Sequence, residues 1–253
     1  QRQMCIRDRL WHWQVGEARA RAVLSWRQPD TSDAPQHAIA PGDGHVTWVQ
    51  NHQLWLADRT GRMRQLTFDG STDLVYGGAA HRAEFGIVRG LFWSADGGLL
   101  AFSREDQRAI APYPYQDLAT LPPAPVSGRY PMAGRVHSKV RIGVCAVRDG
   151  SVRWLEADPD EDVYWTNVTF GPDNSVVVAR VSRGQDSLEL VRYDALTGKR
   201  LATLLTEHDA EWIEPEHGPT FLGDGRFLWW SPQQGHRHLF LHGPDGKLVQ
   251  QVT

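Results

Sequence analysis

Residues 75–107 hold the side chains whose types and spacing are best suited to binding a charged ligand. A base, an acid and a bulky apolar residue follow one another closely at Arg82, Glu84 and Phe85. A carboxylate in a pocket shielded from water binds an ammonium group well, because charge-assisted hydrogen bonds are stronger than neutral ones. A strand–turn–strand pattern follows, and loops held by such scaffolds commonly carry function. The segment therefore predicts a binding loop in which Glu84 supplies the negative charge.

The turns of the chain recur at intervals that are typical of a β-propeller. The pair Asp96-Gly97 between apolar runs is a strong hairpin signal, because glycine adopts positive φ without strain. Sets of four strands follow at residues 165–205 and 220–252, and their apolar positions repeat 51 residues apart. Four-strand units repeated at this spacing are the sequence signature of propeller blades. We predict an all-β fold of four-stranded antiparallel blades, forming a partial propeller of about four to five blades.

Two segments depart from this regular strand pattern. Residues 1–36 are predicted to be an N-terminal segment, in which residues 1–9 look like a scar or a misread end. Residues 10–26 fit either a hairpin or a short helix. Residues 37–253 are predicted to form the propeller blades, with an insertion at residues 109–139 that contains six of the 15 prolines. Proline at this density excludes helix interiors and central strands, so we expect an extended excursion.

Composition and charge exclude several classes of function. A net charge of −3 over 253 residues does not supply the basic surface of a general nucleic-acid binder. No run approaches the roughly 18 apolar residues of a membrane-spanning helix. The two cysteines, Cys5 and Cys145, are too few for a disulfide scaffold and lack the spacing of metal ligands. We therefore expect no nucleic acid, no membrane span in this chain, no metal and no cofactor.

Several runs of the chain together resemble one family of peptidases. The runs are VYGGAAHRAEFGI, FWSADG, QLTFDG, RYPMAG, YDALTGK, WIEPEH and HLFLHGPDGKLVQQVT. Their order and spacing are similar to the β-propeller domain of dipeptidyl peptidase IV-like enzymes, in the prolyl oligopeptidase family of serine peptidases. The resemblance covers residues 37–253. It implies a C-terminal α/β-hydrolase domain in the same gene product and a periplasmic or extracellular location.

The resemblance also implies which residues bind substrate. In the family, the segment before the hairpin carries a Glu-Glu pair that holds the free amino terminus of a peptide. Glu84 matches the second glutamate by its distance from Phe92, whereas the first position holds Ala83. Arg104 matches a family arginine, and Glu214 lies near a position where some relatives have an arginine that faces the cavity. The predicted substrate-binding residues are therefore Glu84, Arg104 and Glu214.

No catalytic residue is predicted in this chain, because a serine hydrolase of this class needs a G-x-S-x-G elbow and none occurs. The resemblance implies a propeller that gates substrate and recognises its amino terminus for a dipeptidyl peptidase-like serine exopeptidase. Its partners would be the peptide and the hydrolase domain, and a homodimer is left open. The alternative function is a non-catalytic propeller that serves as a protein-interaction platform. The alternative interpretations at the residues are ion pairs, of Glu84 with Arg82 or Arg89 and of Arg104 within its loop.

Overall fold

The computed structural model describes residues 2–6, 9–13, 21–25 and 36–253, except for residues 43, 160 and 234. In this part of the chain the regular structure consists of β-strands and one short 3-10 turn at His81–Ala83. No helix here is long and apolar enough to cross a membrane. The prediction of an all-β fold is confirmed.

The described strands form five larger sheets and one separate hairpin, all antiparallel. The first sheet contains β1 (Arg2–Ile6), β2 (Arg9–Trp13) and β3 (Arg21–Ser25). The second contains β4 (His37–Ile39), β5 (Val46–Gln50), β6 (Gln53–Ala57) and β7 (Met63–Gln65). The third begins with β8 (Leu74–Tyr76), β9 (Leu91–Trp93) and β10 (Leu99–Asp106). The hairpin β11 (Pro112–Asp117) and β12 (Ala124–Arg129) comes next, before β13 (Lys139–Ala146) and β14 (Ser151–Trp154) complete the third sheet.

Two four-stranded sheets complete the chain, and both follow the predicted strand pattern closely. The fourth sheet contains β15 (Val163–Phe170), β16 (Val176–Ser182), β17 (Ser187–Tyr193) and β18 (Arg200–His208). The fifth contains β19 (Thr220–Phe221), β20 (Phe227–Ser231), β21 (His238–His242) and β22 (Leu248–Gln251). Neighbours in sequence are neighbours in each of these sheets, as expected for propeller blades.

The fourth sheet shows why the middle strands are apolar on both faces. In β16, Val176 and Val178 belong to the same buried cluster as Ile142 of the third sheet. Val177, between them, belongs to a different cluster that contains Trp229 of the fifth sheet. Successive side chains of a strand point to opposite faces, so a continuous apolar run indicates a strand that is covered on both sides. The sheets therefore stack face to face, which is the blade arrangement of a propeller.

The first strand of the third sheet is interrupted by a long loop. Both β8 and β9 pair with the same edge of β10, Tyr76 opposite Arg104 and Leu91 opposite Phe102. The strand β9 also packs beside β4 and β15, which are the first strands of the second and fourth sheets. The first strands thus lie on the inner side of the assembly of blades. Residues 77–90, which we call the binding loop, leave this inner strand and return to it.

The structure also bears on the predictions made for the N-terminal segment and for the proline-rich insertion. The strands β2 and β3 pair antiparallel, which is the hairpin alternative for residues 10–26, although residues 14–20 lie outside the described part. Residues 1–9 look like a scar or a misread end in the sequence, whereas in the structure β1 pairs with β2 along its whole length. The insertion at residues 109–139 is extended, and its two described strands pair with each other. The domain boundary at residue 36 stays a prediction.

Candidate substrate-binding site

The two ends of the binding loop are held together on Ser103 of β10. The amide of Gly77 donates to the Ser103 carbonyl at 2.9 Å, and the Ser103 amide donates to the Gly90 carbonyl at 2.9 Å. The Ser103 hydroxyl donates to the carbonyl of Gly78 at 2.8 Å. A Cβ atom on Gly90 would lie 2.1 Å from the same Gly78 carbonyl oxygen, so glycine is required there by space. The loop therefore begins and ends at one narrow point of the inner strand.

The tip of the binding loop has an unusual backbone. His81, Arg82 and Ala83 have φ values of 52°, 57° and 63°, and Phe85 has a φ of 56°. Non-glycine residues rarely adopt this left-handed region, and they persist there only when the surrounding structure holds them. Glu84 has an extended conformation between them, and its amide donates to the His81 carbonyl at 3.1 Å. The turn leaves the Glu84 side chain exposed.

Two buried side chains hold this strained turn. His81 is 5% exposed, and its Nε2 accepts a hydrogen bond from the amide of Trp165 at 3.2 Å. Burial, together with the nearby His137 and Arg183, lowers the pKa of His81 to about 3, so the imidazole is neutral at neutral pH. Phe85 is 2% exposed and packs at 5.0 Å from the ring of Tyr164. The two anchors flank the exposed residues 82–84.

The binding loop borders a cavity of about 560 Å³, which we call the loop cavity. Its walls come from the binding loop, from the end of β10 and the residues after it, and from the end of β12 and the residues after it. The residues just before β13, the start of β15 and the turn after β16 complete them. The charged side chains on these walls are those of Glu84, Glu105, Arg82, Arg129 and Arg183. The far side of the loop borders a second cavity of about 590 Å³. The loop therefore separates two spaces along the inner strands.

The arginines of the loop cavity are engaged by other groups. Arg129 donates two hydrogen bonds to the Asp73 carboxylate, at 3.0 and 2.7 Å. The guanidinium carbon of Arg82 lies 4.6 Å from the centre of the Tyr130 ring. That of Arg183 lies 5.5 Å from the Tyr164 ring. Two of the three cations are thus stacked on aromatic rings, and the third is neutralised by an ion pair.

The Glu84 carboxylate makes no ion pair within 4.0 Å in the described part of the chain. Arg82 lies over Tyr130, and Arg89 lies over Phe92 at 5.5 Å. Glu84 is therefore an exposed carboxylate beside a cavity, and none of the described residues forms an ion pair with it.

Arg104 lies in a different place from Glu84. Its Nη2 is 4.0 Å from Asp69 Oδ2, and its guanidinium carbon is 6.0 Å from the centre of the Trp154 ring. These residues line a separate cavity of about 490 Å³. Arg104 and Glu105 are adjacent in β10, and adjacent strand residues point to opposite faces. The structure therefore brings Glu105, and not Arg104, to the cavity that Glu84 borders.

Glu214 is half-buried and is not among the residues that line the loop cavity. The residue before it, Ile213, donates its amide to the carbonyl of Gln185 at 2.7 Å, and Gln185 lines the cavity. The three predicted residues are thus not assembled into one site. Sequence reasoning missed Glu105, although an acidic residue at a core-facing position of the apolar strand LLAFSRED is a signal that could have found it.

One family model matches nearly the whole chain. The profile described as "Dipeptidyl peptidase IV (DPP IV) N-terminal region" matches residues 7–253. The chain belongs to this family. It is the N-terminal region of a dipeptidyl aminopeptidase-like protein, and the resemblance identified from the sequence is confirmed.

Individual relatives agree with this assignment. The chain is 25% identical over 234 residues to a probable dipeptidyl-aminopeptidase B of Uncinocarpus reesii, covering 81% of this chain and 26% of that protein. It is 25% identical over 229 residues to dipeptidyl-aminopeptidase B of Aspergillus niger, covering 80% and 25%. The chain thus spans about a quarter of the length of these curated relatives.

Solved structures of the family superpose well on the chain. A putative dipeptidyl aminopeptidase IV of Bacteroides ovatus matches with a TM-score of 0.81 and 26% identity, covering 96% of this chain and 34% of that one. Dipeptidyl peptidase 4 of Porphyromonas gingivalis matches with a TM-score of 0.80 and 21% identity, covering 96% and 37%. At that identity the second match shows the fold alone. The propeller prediction is confirmed by both.

Proposed function

We propose that this chain is the propeller that gates substrate and binds its amino terminus in a dipeptidyl peptidase-like serine exopeptidase. The observation that carries the proposal is the exposed Glu84 carboxylate, free of any ion pair in the described residues, at the tip of a loop that leaves the innermost strand. The loop borders a cavity of about 560 Å³, which lies within the range of small-molecule sites.

The chemistry of an exopeptidase requires a group that recognises the end of the peptide. A protonated amino terminus carries three N–H donors and one positive charge, and a carboxylate offers only acceptors and one negative charge. When the amino terminus is held at a fixed place, one particular peptide bond lies beside the nucleophile. Such positioning also accelerates the reaction, because the reacting groups are already oriented. The nucleophile would come from the hydrolase domain of the same gene product, since this chain contains no G-x-S-x-G.

The remaining walls of the loop cavity suit the first residues of a peptide. Tyr130 and Tyr164 offer ring faces, and the guanidinium of Arg183 offers N–H donors that peptide carbonyls accept. Backbone strain at residues 81–85 supports a functional role for the loop, because such strain clusters at ligand-binding sites.

The first prediction is that Glu84→Gln in the complete protein removes the preference for a free amino terminus. Glutamine keeps the size of the side chain but loses the charge, which for a buried ammonium partner costs roughly 2–4 kcal/mol. We expect kcat/KM on a free-amino peptide to fall about 30- to 1000-fold. The acetylated form of the same peptide should be a poor substrate for the wild type and nearly unaffected by the change.

The matched control is Glu211→Gln, which removes the charge of another exposed glutamate outside the loop cavity. It should leave both substrates unaffected. An equal loss on the free and acetylated peptides after Glu84→Gln would indicate a structural role for Glu84. Unchanged hydrolysis of both would remove Glu84 from the site, and a complete protein that hydrolyses neither would favour the interaction platform.

A further inference from the structure

Glu105 is a buried carboxylate on the wall of the loop cavity. Its residue is 7% exposed, and it lines the same cavity as Glu84. Its Oε1 accepts from the His81 amide at 3.1 Å and from the Ser138 hydroxyl at 2.5 Å, and its Oε2 accepts from Gln107 Nε2 at 3.2 Å. All three donors are neutral. In the described part of the chain no cation forms an ion pair with Glu105.

A buried carboxylate without a counter-charge is unfavourable, because the free energy lost on removing an ion from water is recovered only when an opposite charge compensates it. The arginines of the loop cavity do not compensate it. Arg129 is paired with Asp73, Arg82 lies over Tyr130, and Arg183 donates to the Arg135 carbonyl at 3.4 Å. A cationic ligand in the cavity would supply the missing charge.

His137 on the same wall is a second group with unused hydrogen-bonding capacity. It is 5% exposed, lines the loop cavity and, among the described residues, has no hydrogen-bond partner on Nδ1. Its Nε2 lies 2.6 Å from Asp162 Oδ1. A carboxylate only accepts, so Nε2 carries the proton and Nδ1 of the neutral ring keeps a lone pair. Within the described part of the chain, this wall therefore holds a carboxylate without an ion pair, bonded to Ser138, and a ring nitrogen without a hydrogen-bond donor.

We propose that Glu105 is the second carboxylate of a site for a primary ammonium group, acting together with Glu84. The inference rests on the proposed function and names a residue of the same site. The two glutamates are connected through one residue, because Glu105 accepts from the His81 amide and the Glu84 amide donates to the His81 carbonyl. The strand β10 thus supplies the negative charge that the binding loop, with Ala83 before Glu84, does not carry.

The test is the affinity of the complete protein for alanyl-alanine amide, measured by isothermal titration calorimetry. We expect Glu105→Gln, which keeps the size of the side chain and removes its charge, to weaken binding at least about tenfold. Glu211→Gln is the matched control, because it makes the same change at an exposed glutamate outside the loop cavity. It should change the affinity by less than about threefold.

Each result bears on the inference separately from the proposed function. Equal weakening by Glu105→Gln and Glu211→Gln, or unchanged binding after Glu105→Gln, would overturn the role of Glu105. Equal affinity of the wild type for the dipeptide amide and its N-acetyl form would overturn the proposed function itself. If Glu105→Gln does not fold, Glu105→Asp makes the same test. Aspartate is one methylene shorter, so the carboxylate lies farther from the ligand. Binding of the dipeptide amide should then weaken several-fold, whereas binding of its N-acetyl form should not change. A parallel change in the binding of the two ligands would overturn the inference.

Discussion

His81 holds the binding loop through the acceptor nitrogen of a neutral imidazole. Its pKa is lowered to about 3 by burial and by the nearby His137 and Arg183, whereas an unfolded histidine titrates near 6.5. Between these two values the unfolded chain binds a proton that the folded chain does not. The free energy of unfolding therefore rises with pH in this window, and the contribution is lost as the pH falls from about 6.5 toward 3.

The second prediction follows from this titration. In His81→Gln the amide oxygen can still accept from the Trp165 N–H, and no group titrates. Relative to this variant, the wild type should lose about 2 kcal/mol of unfolding free energy between pH 7 and pH 5, a shift that follows from the lowered pKa of His81. Urea denaturation at a series of pH values measures the difference. His236→Gln, at an exposed position, is the control and should follow the wild type. Parallel curves for His81→Gln and wild type would show that His81 is not the titrating group.

The binding loop leaves a strand and returns to it, and its position depends on the narrow base where Gly77 and Gly90 bond to Ser103. Gly77 and Gly90 both bond to Ser103, and the backbone atoms around Gly90 leave no space for a side chain. The pairing of β10 with β8 and β9 continues on each side of this point. The base therefore determines where residues 81–85 are held, although it contains none of the cavity's charged groups.

The third prediction concerns this base. Gly90→Ala would place a methyl group 2.1 Å from the Gly78 carbonyl oxygen and 2.2 Å from the Ser103 hydroxyl. We expect a loss of about 1–3 kcal/mol in unfolding free energy, as for other overpacked sites. We also expect weaker binding of the dipeptide amide, because the loop must shift. Gly223→Ala is the control, since nothing lies within 4 Å of the added methyl group. If Gly90→Ala had the same free energy of unfolding as the wild type, the backbone atoms of the base would be able to move apart without loss of stability.

At the scale of the whole molecule, the blades are joined by the apolar side chains between them. Trp229 of β20 is 1% exposed and belongs to the cluster that includes Val177 and Leu190 of the fourth sheet. Its Nε1 donates to Glu207 Oε1 of β18 at 2.8 Å. One side chain therefore provides both packing and a buried hydrogen bond between the fourth and fifth sheets.

The fourth prediction is that Trp229→Ala weakens the contact between these two sheets. Removing a large buried aromatic side chain costs about 3–5 kcal/mol. Because each blade contacts mainly its neighbours, amide hydrogen exchange should increase most in β19–β22. Trp212→Ala, at a site that is 58% exposed, is the control and should change little. Uniformly faster exchange in all sheets would show instead that the blades unfold as one cooperative unit.

Local signals in the sequence predict the blade pattern and the position of the binding loop. Strand alternation, Asp-Gly turns and a four-strand repeat placed the last two blades at residues 165–205 and 220–252, where the structure has β15–β18 and β19–β22. Glu84 was identified by its position before the Phe92 strand, and in the structure it is exposed and lines the loop cavity. Its role as a ligand of the amino terminus remains a prediction.

Tertiary contacts determine which side chains line the loop cavity together with Glu84. Arg104 and Glu105 are adjacent in sequence, and the pairing of β10 with β8 sends one to the cavity with Asp69 and the other to the loop cavity. His137 lies on the same wall, just before β13 and after the intervening hairpin. The alternation of side chains along a strand predicts that adjacent residues point to opposite faces of the sheet. Which face meets the binding loop depends on contacts between residues that are distant in sequence, and those form only when the chain folds.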